Sequence, residues 1–159
     1  MIAIRPAAPG DEALVLRFVR ELAAFEREPD AVAASDADLR DALFGPDPAA
    51  EAVVAELESE PVGFALFFHN FSTWTGRRGL YLEDLYVAPA ARGRGVGRAL
   101  LEHLARVALD RGCARFEWSV LDWNADAVAF YRALGAVGME EWTVQRVDGD
   151  ALRRLAGRN

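Results

Sequence analysis

The chain contains no lysine: all 18 of its basic residues are arginine, set against 25 acidic residues, for a net charge of −7 over 159 residues. That balance argues against a nucleic-acid partner, whose binders displace counterions from phosphates with clustered Lys and Arg. The missing lysine also excludes a Walker-type phosphate loop, in which Lys follows the last glycine. Cys113 is the single cysteine, so no internal disulfide can form. Beside two scattered histidines it cannot build a zinc site of the usual ligand count, and no metal is expected. No stretch reaches the ~20 apolar residues of a membrane span, and Met1 to Pro6 lacks a basic segment followed by an apolar run. The expectation is a cytoplasmic protein with no membrane partner.

What is present is ordinary for a globular chain: 52% apolar and 27% charged residues. The length suits one domain spanning 1–159, with no internal repeat or Pro/Gly-rich linker to divide it. Charge is unevenly placed. Residues 1–60 carry 14 acids and 5 arginines, and residues 61–159 carry 11 acids and 13 arginines. A cation suits the first part and an anion the second.

Hydrophobic periodicity predicts a strand at Ile2 to Arg5 and a helix opened by Asp11, with Leu14, Phe18, Leu22 and Phe25 on one face. Ser35, with Asp38 three residues later, caps a second helix that Gly45-Pro46 ends. Strands are predicted at Glu51 to Leu57, Val62 to Phe68 and Leu80 to Val87. His69 to Gly79 reads as a loop, punctuated by Asn70, Ser72, Thr73 and Gly76. A long amphipathic helix begins near Val96 and closes at Gly112. A strand at Arg115 to Leu121, a helix at Ala125 to Leu134 ended by Gly135, and a strand at Glu141 to Val147 complete the order β-α-α-β-β-β-α-β-α-β. This is an α/β (α+β) class with a mixed central sheet flanked by helices.

Between the Leu80–Val87 strand and the long helix lies Arg92-Gly93-Arg94-Gly95-Val96-Gly97-Arg98. Unpaired amides at a helix N-terminus, glycines that admit close approach and the helix dipole together make a phosphate cradle. The three arginines can neutralise further anionic oxygens, as the diphosphate and 3′-phosphate of coenzyme A require. A dinucleotide fingerprint needs G-x-G-x-x-G after a first strand; here the spacing is G-x-G-x-G, in mid-chain.

The remaining design, R-x-x-G-x-G after a strand and before a long helix, resembles the coenzyme A signature of the GNAT superfamily of N-acetyltransferases. The run Leu80-Tyr81-Leu82-Glu83-Asp84-Leu85-Tyr86-Val87 lies where that family has its acetyl-binding strand. Leu121-Asp122-Trp123-Asn124 leads to Phe130-Tyr131, where the family has its last catalytic helix. Phe71-Ser72-Thr73-Trp74-Thr75-Gly76-Arg77, Leu134-Gly135-Ala136 and Arg154-Leu155-Ala156-Gly157 look like the diamine (spermidine/spermine) and thialysine branch. The likeness covers nearly the whole chain and departs at Glu58 to Pro61 and Glu140-Glu141, both shortened. It implies the GNAT fold, acetyl-CoA as co-substrate, a small cationic amine as acceptor and a homodimer.

Acetyl transfer needs a deprotonated amine, a polarised thioester carbonyl and an acid for the leaving thiolate. A primary amine with pKa ~10.4 needs a nearby proton acceptor. Strand neighbours point to opposite faces, so only one of Glu83 and Asp84 faces the acetyl group. Glu83 is taken as the catalytic relay and amine ligand, Asp84 as support for backbone or arginine groups. Tyr131 is the candidate general acid and also a coenzyme contact. By resemblance, Leu85, Tyr86 and Val87 hold the thioester and pantetheine, Arg92 to Arg98 the diphosphate, and Asn124 and Ala127 the pantetheine side. By the same resemblance Phe25, Glu26, Glu83 and Glu141 bind the amine. Two other readings keep the coenzyme site: an amino acid, drug amine or protein lysine as acceptor, and a non-catalytic acyl-CoA sensor.

Overall fold

In the strand Glu60–Ser72, Phe64 and Leu66 point to one side of the sheet, where they meet Val15, Phe18 and Leu43. Phe67, of opposite parity, points to the other side, under the guanidinium of Arg111. That alternation of two apolar faces requires helices on both sides. The computed structural model describes residues 1–158. They form two compact units, Met1–Leu121 and a second that begins at Asp122.

In the first unit the elements are β1 (Ile2–Pro6), α1 (Glu12–Phe25), α2 (Asp36–Phe44), β2 (Glu51–Leu57), β3 (Glu60–Ser72), β4 (Arg77–Val87), α3 (Val96–Asp110) and β5 (Phe116–Trp118), with a 3-10 turn at Pro89–Ala91 between β4 and α3. The sheet order is β1-β2-β3-β4-β5. The first four strands pair antiparallel, and β4 pairs with β5 in parallel after the α3 crossover. Phe18, Phe64, Leu80, Leu100 and Leu104 are fully buried. Truncating such a side chain to Ala typically costs ~2–5 kcal/mol.

The expected caps form in part. Ser35 accepts from the Asp38 N–H while the Asp38 carboxylate accepts from the Ser35 N–H, a reciprocal box that starts α2. Asp11 precedes α1, but its carboxylate instead takes Arg5 at 2.7 Å and the Ala8 N–H at 2.8 Å. Gly112 follows α3 with φ +73°. At the far end of α3, Arg111 makes two bonds to Glu51, at 2.6 and 2.9 Å.

His69 to Gly79 is not a loop. β3 and β4 run on through it, paired as far as Ser72 and Arg77, and only the tip turns. Polar punctuation is tolerated because cross-strand contacts carry the ladder: Phe68 packs on Tyr81 at 5.3 Å, and Gly79 leaves room for the Asn70 amide that a Cβ would strike. The strand expected at Arg115 to Leu121 shortens to Phe116–Trp118.

The second unit carries α4 (Ala125–Ala133) and α5 (Gly149–Leu155). Glu141 to Val147, expected as a strand, has no regular structure, and Trp142, Val144 and Val147 are exposed. Strand propensity needs a paired neighbour to take effect, and among the described residues this unit has no other strand. Among the described residues no helix is long and apolar enough to cross a membrane.

Candidate active site

β5 pairs with β4 only at Leu80, Tyr81 and Leu82. Beyond it β4 continues to Val87, held by β3 alone. In an antiparallel pair alternate backbone groups point away from the partner, so along Glu83 to Val87 a row of N–H and C=O groups meets no further strand among the described residues. Such an edge can hydrogen-bond an extended amide chain and polarise a carbonyl. Of the predicted residues here, Leu85 is half-buried and Val87 offers its carbonyl to Arg92 Nε at 3.0 Å. Tyr86 serves the core: its ring packs against Phe18 and its hydroxyl donates to Glu21 Oε1 at 2.9 Å.

The edge leads into the glycine turn. Gly93 and Gly95 have φ of +76° and +84°, the left-handed region, and Gly95 is the N-cap of α3. A Cβ on Gly93 would meet nothing within 4 Å, and one on Gly95 only Ile2 Cδ1 at 4.0 Å, so the space before the turn is open. No side chain caps α3, leaving the amides of Val96, Gly97 and Arg98 at its positive end for an anion. Arg98 pairs with Glu102 at 2.9 Å, and Arg94 has no side-chain hydrogen bond among the described residues.

The register of β3 on β4 breaks between Leu66 and Phe67: Phe67 faces Leu82, Leu66 faces Asp84, and Glu83 is the extra residue of a bulge. The bulge reverses parity. Leu82 therefore shares the α3 side with Phe67, while Asp84 shares the α1 side with Leu66 and Tyr86. The opposite-face argument for choosing between Glu83 and Asp84 thus does not hold at this position. Asp84 also makes no hydrogen bond or ion pair among the described residues, contrary to its expected supporting role. Burial first, then the charges of Glu83 and Glu26, push its carboxyl pKa up to about 6. Glu26 is itself raised by burial and stands at the C-cap of α1, whose last turn holds no basic residue. Three carboxylates and the negative end of a helix thus converge where a cation would relieve them.

Glu83 is exposed, and Phe25 lies beside Glu26 at the end of α1 with its ring under Arg92. In the second unit Asn124 caps α4 by accepting the Ala127 N–H at 3.3 Å, the Tyr131 ring lies tilted against Phe130 with centroids 5.5 Å apart, and Glu141 is exposed. Sequence reasoning gave Asp84 only a supporting role beside Glu83, because a bulge leaves no mark in the residue pattern.

Known proteins now supply an independent comparison. A model of the acetyltransferase (GNAT) family matches residues 16–136. The chain belongs to that family. Its N-acetyltransferase relatives include the thialysine N-epsilon-acetyltransferase of Sus scrofa, 43% identical over 99% of this chain and 98% of the relative. The enzyme of that name from Caenorhabditis elegans is 37% identical over 89% of each chain. Among solved structures, an integron cassette protein from the mobile metagenome of V. cholerae superposes with a TM-score of 0.81 at 29% identity, covering 98% of this chain and 97% of that one. GNAT membership makes the chain an N-acetyltransferase and places the glycine turn, β4 and α4 inside the matched segment.

Proposed function

We propose that the protein transfers the acetyl group of acetyl-CoA to the terminal primary amine of a small cationic amino acid or diamine, with thialysine as the first acceptor to test. One observation carries this reading: the unpaired edge of β4 runs directly into a glycine turn at the start of α3, beside a cluster of carboxylates at the end of α1. The turn takes the diphosphate, with Arg94 free to add charge. The edge from Glu83 to Val87 receives the pantetheine amides, and its N–H groups polarise the thioester carbonyl. Asp84, Glu83 and Glu26 draw in the ammonium.

Within that ternary complex the amine loses its proton through water to a carboxylate, Asp84 or Glu83. Its nitrogen forms a bond to the carbonyl carbon as the C–S bond breaks, Tyr131 gives the departing thiolate its proton, and the second proton, shed by the acylated nitrogen, passes through water to restore the Tyr131 phenol. The thialysine relatives support the acceptor, since an acidic pocket and a substrate with a terminal amine are complementary. The same reading carries a cytoplasmic homodimer, which light scattering would report as twice the 17.4 kDa chain mass.

Turnover of acetyl-CoA against thialysine, lysine, putrescine, spermidine and a histone-like peptide tests the assignment. Preference for thialysine or lysine is expected. Activity confined to the peptide overturns the small-amine reading, and coenzyme binding with no turnover on any amine overturns the enzyme's proposed mechanism.

A further inference from the structure

β5 joins β4 with Glu117 beside Tyr81, and Tyr81 stands opposite Phe68 of β3. Phe68 has the parity of Phe64 and Leu66, so Phe68, Tyr81 and Glu117 share the α1 side of the sheet with Asp84. Two contacts agree with that placement. The rings of Phe68 and Tyr81 lie 5.3 Å apart, and Asn70 Nδ2 donates to Glu117 Oε1 at 3.4 Å. Asn70 reaches β5 because it faces Gly79 on the intervening β4, whose missing side chain leaves room for the amide. Glu117 is half-buried and forms no ion pair among the described residues.

Asp84 and Glu117 are therefore carboxylates on one face, set apart by the step from Leu66 to Phe68 along the ladder and by one strand across it. With a rise of ~3.3 Å per residue and ~4.8 Å between strands, their backbones lie roughly 8 Å apart. Tyr81 stands between them in the sheet, and its hydroxyl pairs with Ser119 Oγ at 3.0 Å rather than with either acid. An aromatic surface with an anion at each end is complementary to an apolar spacer with a cation at each end. An extended chain of about five atoms between two nitrogens covers that distance, since each bond is ~1.5 Å long. Desolvating the far ammonium on this half-buried face is costly without a counter-ion, and the Glu117 carboxylate offsets that cost.

We propose that Glu117 takes the second cation of the acceptor, so that diamines and diamino acids are selected by the distance between their two nitrogens. The reaction and the place of the reacting nitrogen beside Asp84 rest on the function proposed above, and the added claim is the residue that holds the far end. The far ammonium of a diamine, or the α-ammonium of thialysine, lies past the Tyr81 ring against Glu117, while the other nitrogen meets the acetyl group at the edge of β4. A monoamine of the same length leaves Glu117 without that partner.

The test compares kcat/KM for 1,5-diaminopentane and pentylamine, which share a reacting amine and differ in the far ammonium, at saturating acetyl-CoA. The wild type should favour the diamine by ~10-fold or more, the contribution of one hydrogen bond to a charged group, and mainly through KM. That exceeds what a second reactive end supplies by statistics. In Glu117→Gln, which keeps the size and an acceptor for Asn70 but removes the charge, the ratio should fall to near the statistical value. Glu117→Asp keeps the charge on a shorter arm, so the ratio should survive and the preferred diamine should shift from 1,5-diaminopentane towards 1,6-diaminohexane. A residue that serves folding alone would change the two substrates alike and leave the preferred length where it was. A wild type that treats the two amines alike, or a Glu117→Gln variant that keeps the preference, overturns the subsite while leaving the acetyltransferase reading standing. Turnover of thialysine with neither alkylamine also overturns it, because the carboxylate would then hold the far end. No turnover on any amine defeats the function proposed above and the subsite with it.

Discussion

Asp84 stands opposite Leu66 in the ladder between β3 and β4, on the side of the sheet that α1 covers. Burial there, together with the charges of Glu83 and Glu26, pushes its carboxyl pKa up to about 6. A cationic amine stabilises only its ionised form. Thialysine should accordingly bind more tightly as pH rises through about 6, and Asp84→Asn should weaken binding at pH 8 and flatten the profile. Titrations at pH 5, 6, 7 and 8 read both. A wild-type profile without a step near 6 would remove Asp84 from the amine site.

The same carboxylate has a cost in the empty protein. Its folded pKa lies above the unfolded value of 3.8, so the native state binds this proton more tightly than the unfolded chain does. The stabilisation that goes with the proton is complete below the unfolded value and is lost as pH rises through about 6. Asp84→Asn should therefore unfold at a higher temperature than wild type at pH 8 and at nearly the same temperature at pH 4. Melting curves that differ equally at both values would show that ionisation is not the cause.

At the glycine turn the decisive property is backbone conformation. Gly95 holds φ +84°, where an L residue costs ~1–3 kcal/mol and a β-branched one more. Gly95→Val either keeps the turn at that cost or relaxes it and loses the cradle; coenzyme A affinity should drop at least ~10-fold. Ser35→Ala is the control. It removes the box that starts α2, costs ~1 kcal/mol of stability and should leave coenzyme affinity unchanged. Equal losses of affinity in the two variants would mean that the glycine acts through general stability only.

Much of this was legible in the sequence because it rests on local rules. The Ser35–Asp38 box, the α3 start at Val96, the Asn124 cap and the glycine turn each follow from a few neighbouring residues. What was not legible depends on partners far along the chain. Polar His69 to Gly79 becomes strand because β3 and β4 support each other there, and Glu141 to Val147 carries strand-forming residues without a strand to pair with. The displacement of Asp84 to the α1 side follows from one unpaired residue in the register. Arg92 was assigned to phosphate by its place in the motif, whereas its rotamer ties it first to Val87 and Phe25.

Tyr131 lies in the second half of α4, the helix that Asn124 begins. A phenol suits the general acid because its ordinary pKa of ~10 keeps it protonated at neutral pH, yet it can still donate to a thiolate as charge develops. Tyr131→Phe keeps the ring, which packs against Phe130, and removes only the hydroxyl. Loss of a positioned acid typically lowers turnover by ~10²–10⁴-fold. The expected result is a kcat reduced within that range, with coenzyme KM changed little and the fall largest for acetyl-CoA, whose thiolate is the poorer leaving group, and smaller for a thioester with a more acidic thiol. That substrate dependence separates an acid from a packing residue, which would lower turnover on both thioesters alike. An unchanged kcat would return Tyr131 to the hydrophobic face of α4 and leave the thiolate to be protonated by solvent.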